Sequence, residues 1–599
     1  MNMQTNATRA RRNGYALLMV LTATGIASLV LAGTLNRSLT NAKMNDRSNE
    51  YSVASNAAEA AVEKVVARMG HDFQNYGPGA VAANINLYRN SIPDEDSFWT
   101  QFAFSDGQGN ANRTYVTLLT NTFSGPLPSQ YPGLSTMYAP IYRIISNARQ
   151  ATDGVVTGTA QVDVLLALVP LTHYAIFYNG LLEFSTCATM VVNGRVHANG
   201  SIYTGTSASL TFNGTVTSTG TISSPAWNGQ GPRWNHKGTY NGTPPYRTNV
   251  PNVSLEIGMT NVHDMLEMPP NGLSPLSYDG RSRFFNKAQT ALIITNNSVM
   301  MKLQQSINYE VPGADPNPLY LTSNITPTAL ATNFPFLTTD KTFTDQRENK
   351  TVKVTEIDVG RYKQWIQTNV AIQSKFPAAN GAYPTILYVA DNRTVTSSQM
   401  NAVRLTNGDS LPENGGLGWS VATPNPLYMH GHYNCPNAAY RGTTNTTASV
   451  PAAIMSDALT ILSPTWLDSK SSSRYTTRVP SSTTVNAAIL TGTVPSTGPS
   501  ASQFSGGVHN LPRLLEDWNV GGPVLTLNTA ILKLFNSEVA TRQFVNPGTY
   551  YDPPTRNFSY DLNYLDPYKQ PPGIPCAMVL IRLNWAAPPP NTVTYNVAP

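Results

Sequence analysis

The sequence predicts an α+β protein in which one long N-terminal helix, first membrane-compatible and then amphipathic, carries a mostly β ectodomain. That ectodomain reads as a right-handed parallel β-solenoid with long loops and one inserted helix. Three observations lead there. No charged residue interrupts Tyr15 to Asn36, and neither Pro nor Gly interrupts Thr34 to Met69. The stretch NGRVHANGSI at 193–202 returns in register as NGTVTSTGTI at 213–222. Charged residues make up only 12% of the 599 positions, with Ser, Thr, Asn and Gly in their place, which suits turn-rich β-structure better than a cytosolic enzyme.

The chain opens on a basic leader. Arg9, Arg11 and Arg12 precede the apolar run, with no acidic residue among the first 14 positions. Such a flank holds the start of a spanning segment on the cytoplasmic side. Without these arginines the formal charge of +5 falls to +2. A chain so near neutral, lacking a Lys/Arg stripe, is not expected to bind nucleic acid. The apolar run reaches the roughly 20 residues that cross a bilayer as a helix. It has two readings. One is a signal peptide cut after Val30-Leu31-Ala32, with Arg11-Arg12 also permitting a twin-arginine signal. The other is a retained stem, cut after Gly14.

The residues beyond the run favour retention. SNAAEAAVEKVVARM consists of strong helix formers. Ala58, Val62, Val65, Val66 and Met69 recur at three- and four-residue spacing as one apolar stripe. Gly70 sits where a helix C-cap is expected. Tyr15 to Met69 as one helix would be about 80 Å long at roughly 1.5 Å per residue.

A basic leader ending in Gly14, an aromatic Tyr15 after it, and a helix that is hydrophobic and then amphipathic resemble a type IV pilin or pseudopilin. NEYSVASNAAEAAVEKVVARM at 49–69 resembles more narrowly the N-terminal domain of PilX-type minor pilins. The resemblance covers about residues 9–70. It implies cleavage by prepilin peptidase between Gly14 and Tyr15, methylation of the new amino terminus, and insertion in the inner membrane. It also implies other pilin or pseudopilin subunits as partners through the helix. Major pilins carry a Glu at the fifth mature position, which pairs with a neighbour's terminal amine; here that position is Met19. An ionised Glu in a bilayer is costly and is kept for such pairing. Its absence points to a minor or tip component rather than a bulk subunit. A single-pass anchored periplasmic protein is the plain alternative.

The domain limits are a leader at 1–14, the helix at 15–70 with its membrane span at 15–36, a neck with a small sheet at 71–175, and the ectodomain at 176–599. TYVTLLTN, PIYRIISNAR and TAQVDVLLALVPL, within 114–171, supply the neck strands. In the repeat, Asn193/Asn213, Gly194/Gly214, Val196/Val216, Gly200/Gly220 and Ile202/Ile222 correspond at the period of one solenoid coil. GTVPSTG at 492–498 is a third echo. Alternating stretches at 291–303, 384–391, 426–434, 451–463, 523–535 and 576–585 read as further strands. Insertion loops are expected near 228–290. A helix is expected at 357–376, with Asp358 as its N-cap. The segment 175–205 also resembles the ectodomain of large PilX-type proteins.

Little in the sequence points to chemistry. Cys187, Cys435 and Cys576 are too far apart for a metal knuckle, leaving one long-range disulfide or three buried thiols. His430 and His432, with Cys435 nearby, are the best metal candidates, since i and i+2 share a strand face. No fourth ligand is evident, and neither a metal nor a cofactor is assigned. His173, His197, His263 and His509 stand isolated and read as structural. No nucleophile elbow, P-loop or dinucleotide fingerprint occurs. Asp315, Asp391, Asp409 and Asp457 are scattered and read as solvated turn formers rather than as paired carboxylates.

The expected function is structural and not enzymatic. It is that of a minor pilin or pseudopilin that assembles into, primes or caps a type IV pilus or type II secretion pseudopilus. Its ectodomain would be periplasmic before assembly and on the pilus or cell surface after. An anchored adhesin binding a glycan or surface protein is the first alternative, suggested by 29 tyrosines in turn-rich segments. A β-helix polysaccharide hydrolase or lyase is the second.

Overall fold

The computed structural model describes residues 13–595 apart from 130, 132, 153, 185–188, 206–208, 225–226, 228–237, 306–314, 316, 378–381, 414, 499–502, 504 and 546. Helix α1 (Asn13–Tyr76) is one unbroken element of 64 residues. It passes through Gly70, the expected C-cap, and ends instead at Gly77, which has φ +77° and donates its N–H to Phe73 O at 3.0 Å. Phe73 prolongs the stripe of Val62, Val66 and Met69 by a turn and is fully buried. Burying a phenyl ring stabilises by roughly 1.5–3 kcal/mol, more than the ~1 kcal/mol that a mid-helix Gly costs.

The second half of α1 lies under an antiparallel sheet of β1 (Phe102–Ser105), β2 (Tyr115–Pro126), β3 (Ser135–Gln150) and β4 (Gly158–Pro170). β2, β3 and β4 fall on the stretches read as neck strands within 114–171, and β1 precedes them. The neck is not confined to 71–175, however. Cys576–Ala586 pairs antiparallel with β4, and Ser254–Leu255 pairs with that strand in turn. The chain therefore leaves the neck, builds the ectodomain and comes back to close the neck sheet.

At its centre, along β4, the sheet is buried on both faces. Val162, Val164 and Leu166 of β4 pack towards α1, while Leu165, Ala167 and Val169 pack towards the ectodomain. The returning strand alternates likewise, with Met578 facing the stem and Ala577 and Ile581 facing the ectodomain. Two-sided burial explains the near-continuous apolar run VDVLLALV, where a half-solvated strand would alternate with polar residues. At Gly158 the sheet comes so close to the helix that an added Cβ would lie 2.2 Å from Ser55 N.

Beyond β4, the strand β5 (Tyr174–Tyr178) enters a 12-stranded sheet that runs through both arms of the ectodomain. From β5 the chain steps outward in parallel through Arg195–Ala198 and Val216–Ser218 to Tyr246–Arg247. It then crosses to the far end, at Thr290–Ile294, and steps back through 386–391, 419–423, 452–456 and 488–491. The last step, Ile531–Lys533, pairs with β5 itself. Two arms running in opposite sequence directions thus meet at one strand. An antiparallel hairpin, Ser298–Leu303 with Leu319–Asn324, covers the far edge.

The 20-residue repeat appears as parallel registers Val196↔Val216 and Ile202↔Ile222. Its asparagines form a side-chain ladder in which Asn213 Nδ2 donates to Asn193 Oδ1 at 2.8 Å. The ladder continues with Asn241 Nδ2 donating to Asn213 Oδ1 at 2.9 Å. A third copy therefore sits at Asn241-Gly242, inside the region expected to be loop. The echo at 492–498 is not equivalent, because Gly492 follows its strand (Ala488–Thr491) whereas Gly214 precedes Val216–Ser218. The repeat glycines are needed for close stacking. A Cβ on Gly214 would lie 2.2 Å from Gly194 O, one on Gly200 2.6 Å from Gly180 C, and one on Gly220 2.4 Å from Ser201 Oγ. Gly214→Ala is expected to destabilise the ectodomain by about 1–3 kcal/mol, read as a lowered thermal midpoint of its unfolding.

The helix expected at 357–376 is two helices, Val359–Thr368 and Val370–Lys375. Asp358 caps the first by accepting from Arg361 N at 2.8 Å, and Asn369 breaks the run by capping the second.

Candidate functional site

Every residue from Tyr15 to Asn49 is exposed, whereas Ala54, Ala58, Ala61, Val62 and Val65 are fully buried. The stem thus divides into a free apolar rod and a clasped base. The apolar half is long enough to cross a membrane by length and composition. Its threonine hydroxyls bond within the helix, with Thr22 Oγ1 donating to Leu18 O at 2.9 Å and Thr24 Oγ1 to Val20 O at 2.7 Å. A polar side chain satisfied in this way is compatible with an apolar medium. Gly14 lies in the first turn of α1, Tyr15 is 79% exposed, and Met19 is 69% exposed on the free rod. Arg9, Arg11 and Arg12 lie outside the described residues.

Polar contacts fix the base. Arg582 of the returning strand pairs with Glu63, Lys64 pairs with Asp94 and with Glu95 at 2.8 Å, and Tyr51 Oη donates to Ala587 O at 3.2 Å. The exposed pairs contribute little by themselves. The apolar faces carry the attachment, and the pairs set its register.

His430, His432 and Cys435 do not converge as a ligand set, and among the described residues no three His, Cys, Asp or Glu side chains are grouped to hold a metal. The strand Leu427–His430 ends at the first histidine, and Gly431 at φ +91° breaks the alternation that would have aligned the pair. His432 Nδ1 accepts the Thr484 N–H at 3.1 Å. Burial, reinforced by Arg441, lowers the affinity of that ring for a proton. Cys435 and Cys576 are free thiols, both pushed up by burial, and Cys187 lies outside the described residues.

Side-chain pairing overturns two readings of isolated residues. Asp391 and Asp457 are buried instead of solvated. Asp391 accepts from Thr355 Oγ1 at 2.8 Å and from Arg393. Asp457 accepts from His263 Nε2 at 3.0 Å and from the backbone N–H groups of Glu538, Val539 and Ala540. His263 is therefore not isolated, and Glu267 and Glu538 flank its Nδ1 at 3.4 and 3.5 Å. This knot pins the crossing segment between the two arms to the turn at Asp457 and to residues 538–540. Partners nearly 200 positions apart left no spacing signal in the sequence.

The knot makes stability depend on pH. Burial works against the charge on each partner. Even so, Asp457 and its carboxylate neighbours hold His263 above its ordinary range, and His263 with the three N–H donors holds Asp457 below its own. The His263 contribution is full below about pH 6.5 and is lost as pH rises through its raised folded value. The Asp457 contribution is present above about pH 3.8 and is lost as pH falls through its lowered one. Thermal scans from pH 5 to 9 are expected to show wild type losing its advantage over His263→Gln towards the alkaline end. His173, His197, His430 and His432, all shifted downward by burial, drift in the opposite sense and cancel in that difference.

No protein-family model matches the chain, and no curated protein matches it. Among solved structures, the competence-associated pilin ComZ from Thermus thermophilus matches at 10% identity, covering 90% of this chain and 98% of that one, with a TM-score of 0.25. At that score the likeness carries no argument about fold or role. The long helix with its free apolar half and clasped base is what the chain's own geometry supplies.

Proposed function

We propose that this chain is a minor pilin or pseudopilin of PilX type, whose free apolar rod is held first by the inner membrane and then by the helices of neighbouring subunits. The observation that carries this reading is the division of α1 at about residue 50. Large apolar side chains such as Leu17, Leu21, Ile26 and Leu29 have no covering surface among the described residues. Each gains roughly 1.5–3 kcal/mol when lipid or another helix covers it. The base of the same helix is committed to the neck, so whatever seats the rod also positions the ectodomain.

Prepilin peptidase would cut between Gly14 and Tyr15. Met19, lacking the carboxylate of bulk subunits, suits a priming or capping place where no such docking contact is made. The ectodomain is then displayed in the periplasm and later at the surface, and its stacked parallel ladders and asparagine ladder support reading it as a parallel β-solenoid. The test is fractionation of sheared surface filaments from the native host. The chain is expected in the filament fraction of the parent and absent from that of a strain lacking prepilin peptidase. Equal amounts in both would remove the filament role.

A further inference from the structure

The two ectodomain arms hydrogen-bond strand to strand at β5 and part where their side sheets approach each other. There Met190–Val192, at the end of the first arm's ladder, and Thr555–Tyr560, at the end of the second's, belong to separate three-stranded sheets. The inner edges of these strands splay around a cleft of about 290 Å³, at the small end of the roughly 300–1,000 Å³ of small-molecule sites.

Its walls are chemically selective. Arg556, Asn557 and Phe558 come from one edge, Met190 and Asn193 from the other, and Thr444 from a loop above. Among the described residues the lining contains a guanidinium, the His509 ring and no carboxylate. Arg556 Nη2 donates to Asn510 Oδ1 at 3.0 Å, and Asn557 Nδ2 donates to Gly442 O at 3.2 Å, so both side chains are anchored. Asn193 is the first rung of the asparagine ladder and is held through Asn213.

We propose that this cleft binds an acidic sugar residue, such as a hexuronate unit of an anionic polysaccharide. The amides of Asn193 and Asn557 and the Thr444 hydroxyl offer donors and acceptors to ring hydroxyls. Phe558 offers an apolar surface to the C–H face of the ring, and Arg556 pairs with the carboxylate. An acidic peptide side chain would use the arginine alone and leave the amides and the aromatic surface without a role. The site does not depend on filament assembly, because every residue in it belongs to the ectodomain.

The test is calorimetric titration of the full-length chain in detergent with an oligogalacturonate, its neutral methyl-esterified counterpart, and a Glu-rich peptide. The uronate is expected to bind at least tenfold more tightly than the neutral ester and the peptide. Arg556→Gln should abolish that preference. Thr444→Val, a near-isosteric change at an exposed loop, should weaken the uronate severalfold whether or not the arginine variant folds. Absence of uronate binding, equal binding of the ester, preference for the peptide, or unchanged affinity in Thr444→Val would each overturn the proposal.

Discussion

Gly158→Val is expected to prise the neck from the stem. A Cβ at this position would meet Ser55 N at 2.2 Å and Ala54 C at 2.5 Å. Both contacts are backbone atoms of α1, so no side chain can swing aside, and the helix or β4 must shift. Overpacking ordinarily costs about 1–3 kcal/mol, and a clash against several backbone atoms of the helix places this substitution at about 3 kcal/mol or more. The shift would also open the stripe of Ala57, Ala58, Ala61 and Val65 beneath the sheet. Limited proteolysis in detergent should cut near residues 50–77 in the variant at protease levels that leave wild type whole. Gly158→Ala should lie between the two, and a Gly158→Val chain as resistant as wild type would contradict the packing described for the base.

Asp457→Ala should be the most damaging single change in the ectodomain. It removes the acceptor for three backbone N–H groups and leaves the buried His263 ring facing Glu267 and Glu538 without its closest partner. Breaking one side of a buried charged pair typically costs about 3–5 kcal/mol. Asp457→Asn keeps an acceptor oxygen but loses the charge, so it should recover part of that loss. The check is thermal unfolding of the ectodomain followed by circular dichroism. A loss under about 1 kcal/mol in the alanine variant would mean that the knot does not hold the crossing segment.

The local periodicities were legible, and the long-range closures were not. The stem could be read because Val62, Val65, Val66 and Met69 carry its buried face in a three- and four-residue rhythm. Its end was misplaced by one glycine, because the burial of Phe73 outweighs the propensity of Gly70 and only tertiary packing reveals that. The repeat at 193–222 could be read because its period is constant. Its third copy at Asn241-Gly242 was hidden when the spacing lengthened from 20 to 28 residues, although the Asn-Gly-Thr of 213–215 recurs there at 241–243. The return of Cys576–Ala586 to the neck left no mark in sequence, since an alternating strand reads the same in either sheet. The continuous apolar run of β4 did carry a signal of two-sided burial. The buried role of Asp457 was invisible for a related reason, as its partners His263 and residues 538–540 come from distant segments.

The central claim is that the apolar half of α1 remains part of the working protein. The most direct measurement is the mass of the mature amino terminus of the chain recovered from its native membrane. A methylated Tyr15 is the predicted result, leaving the 64-residue helix whole but for its first two positions. A terminus at Gly33 would contradict the account, because the rod that the structure leaves uncovered would then have been discarded.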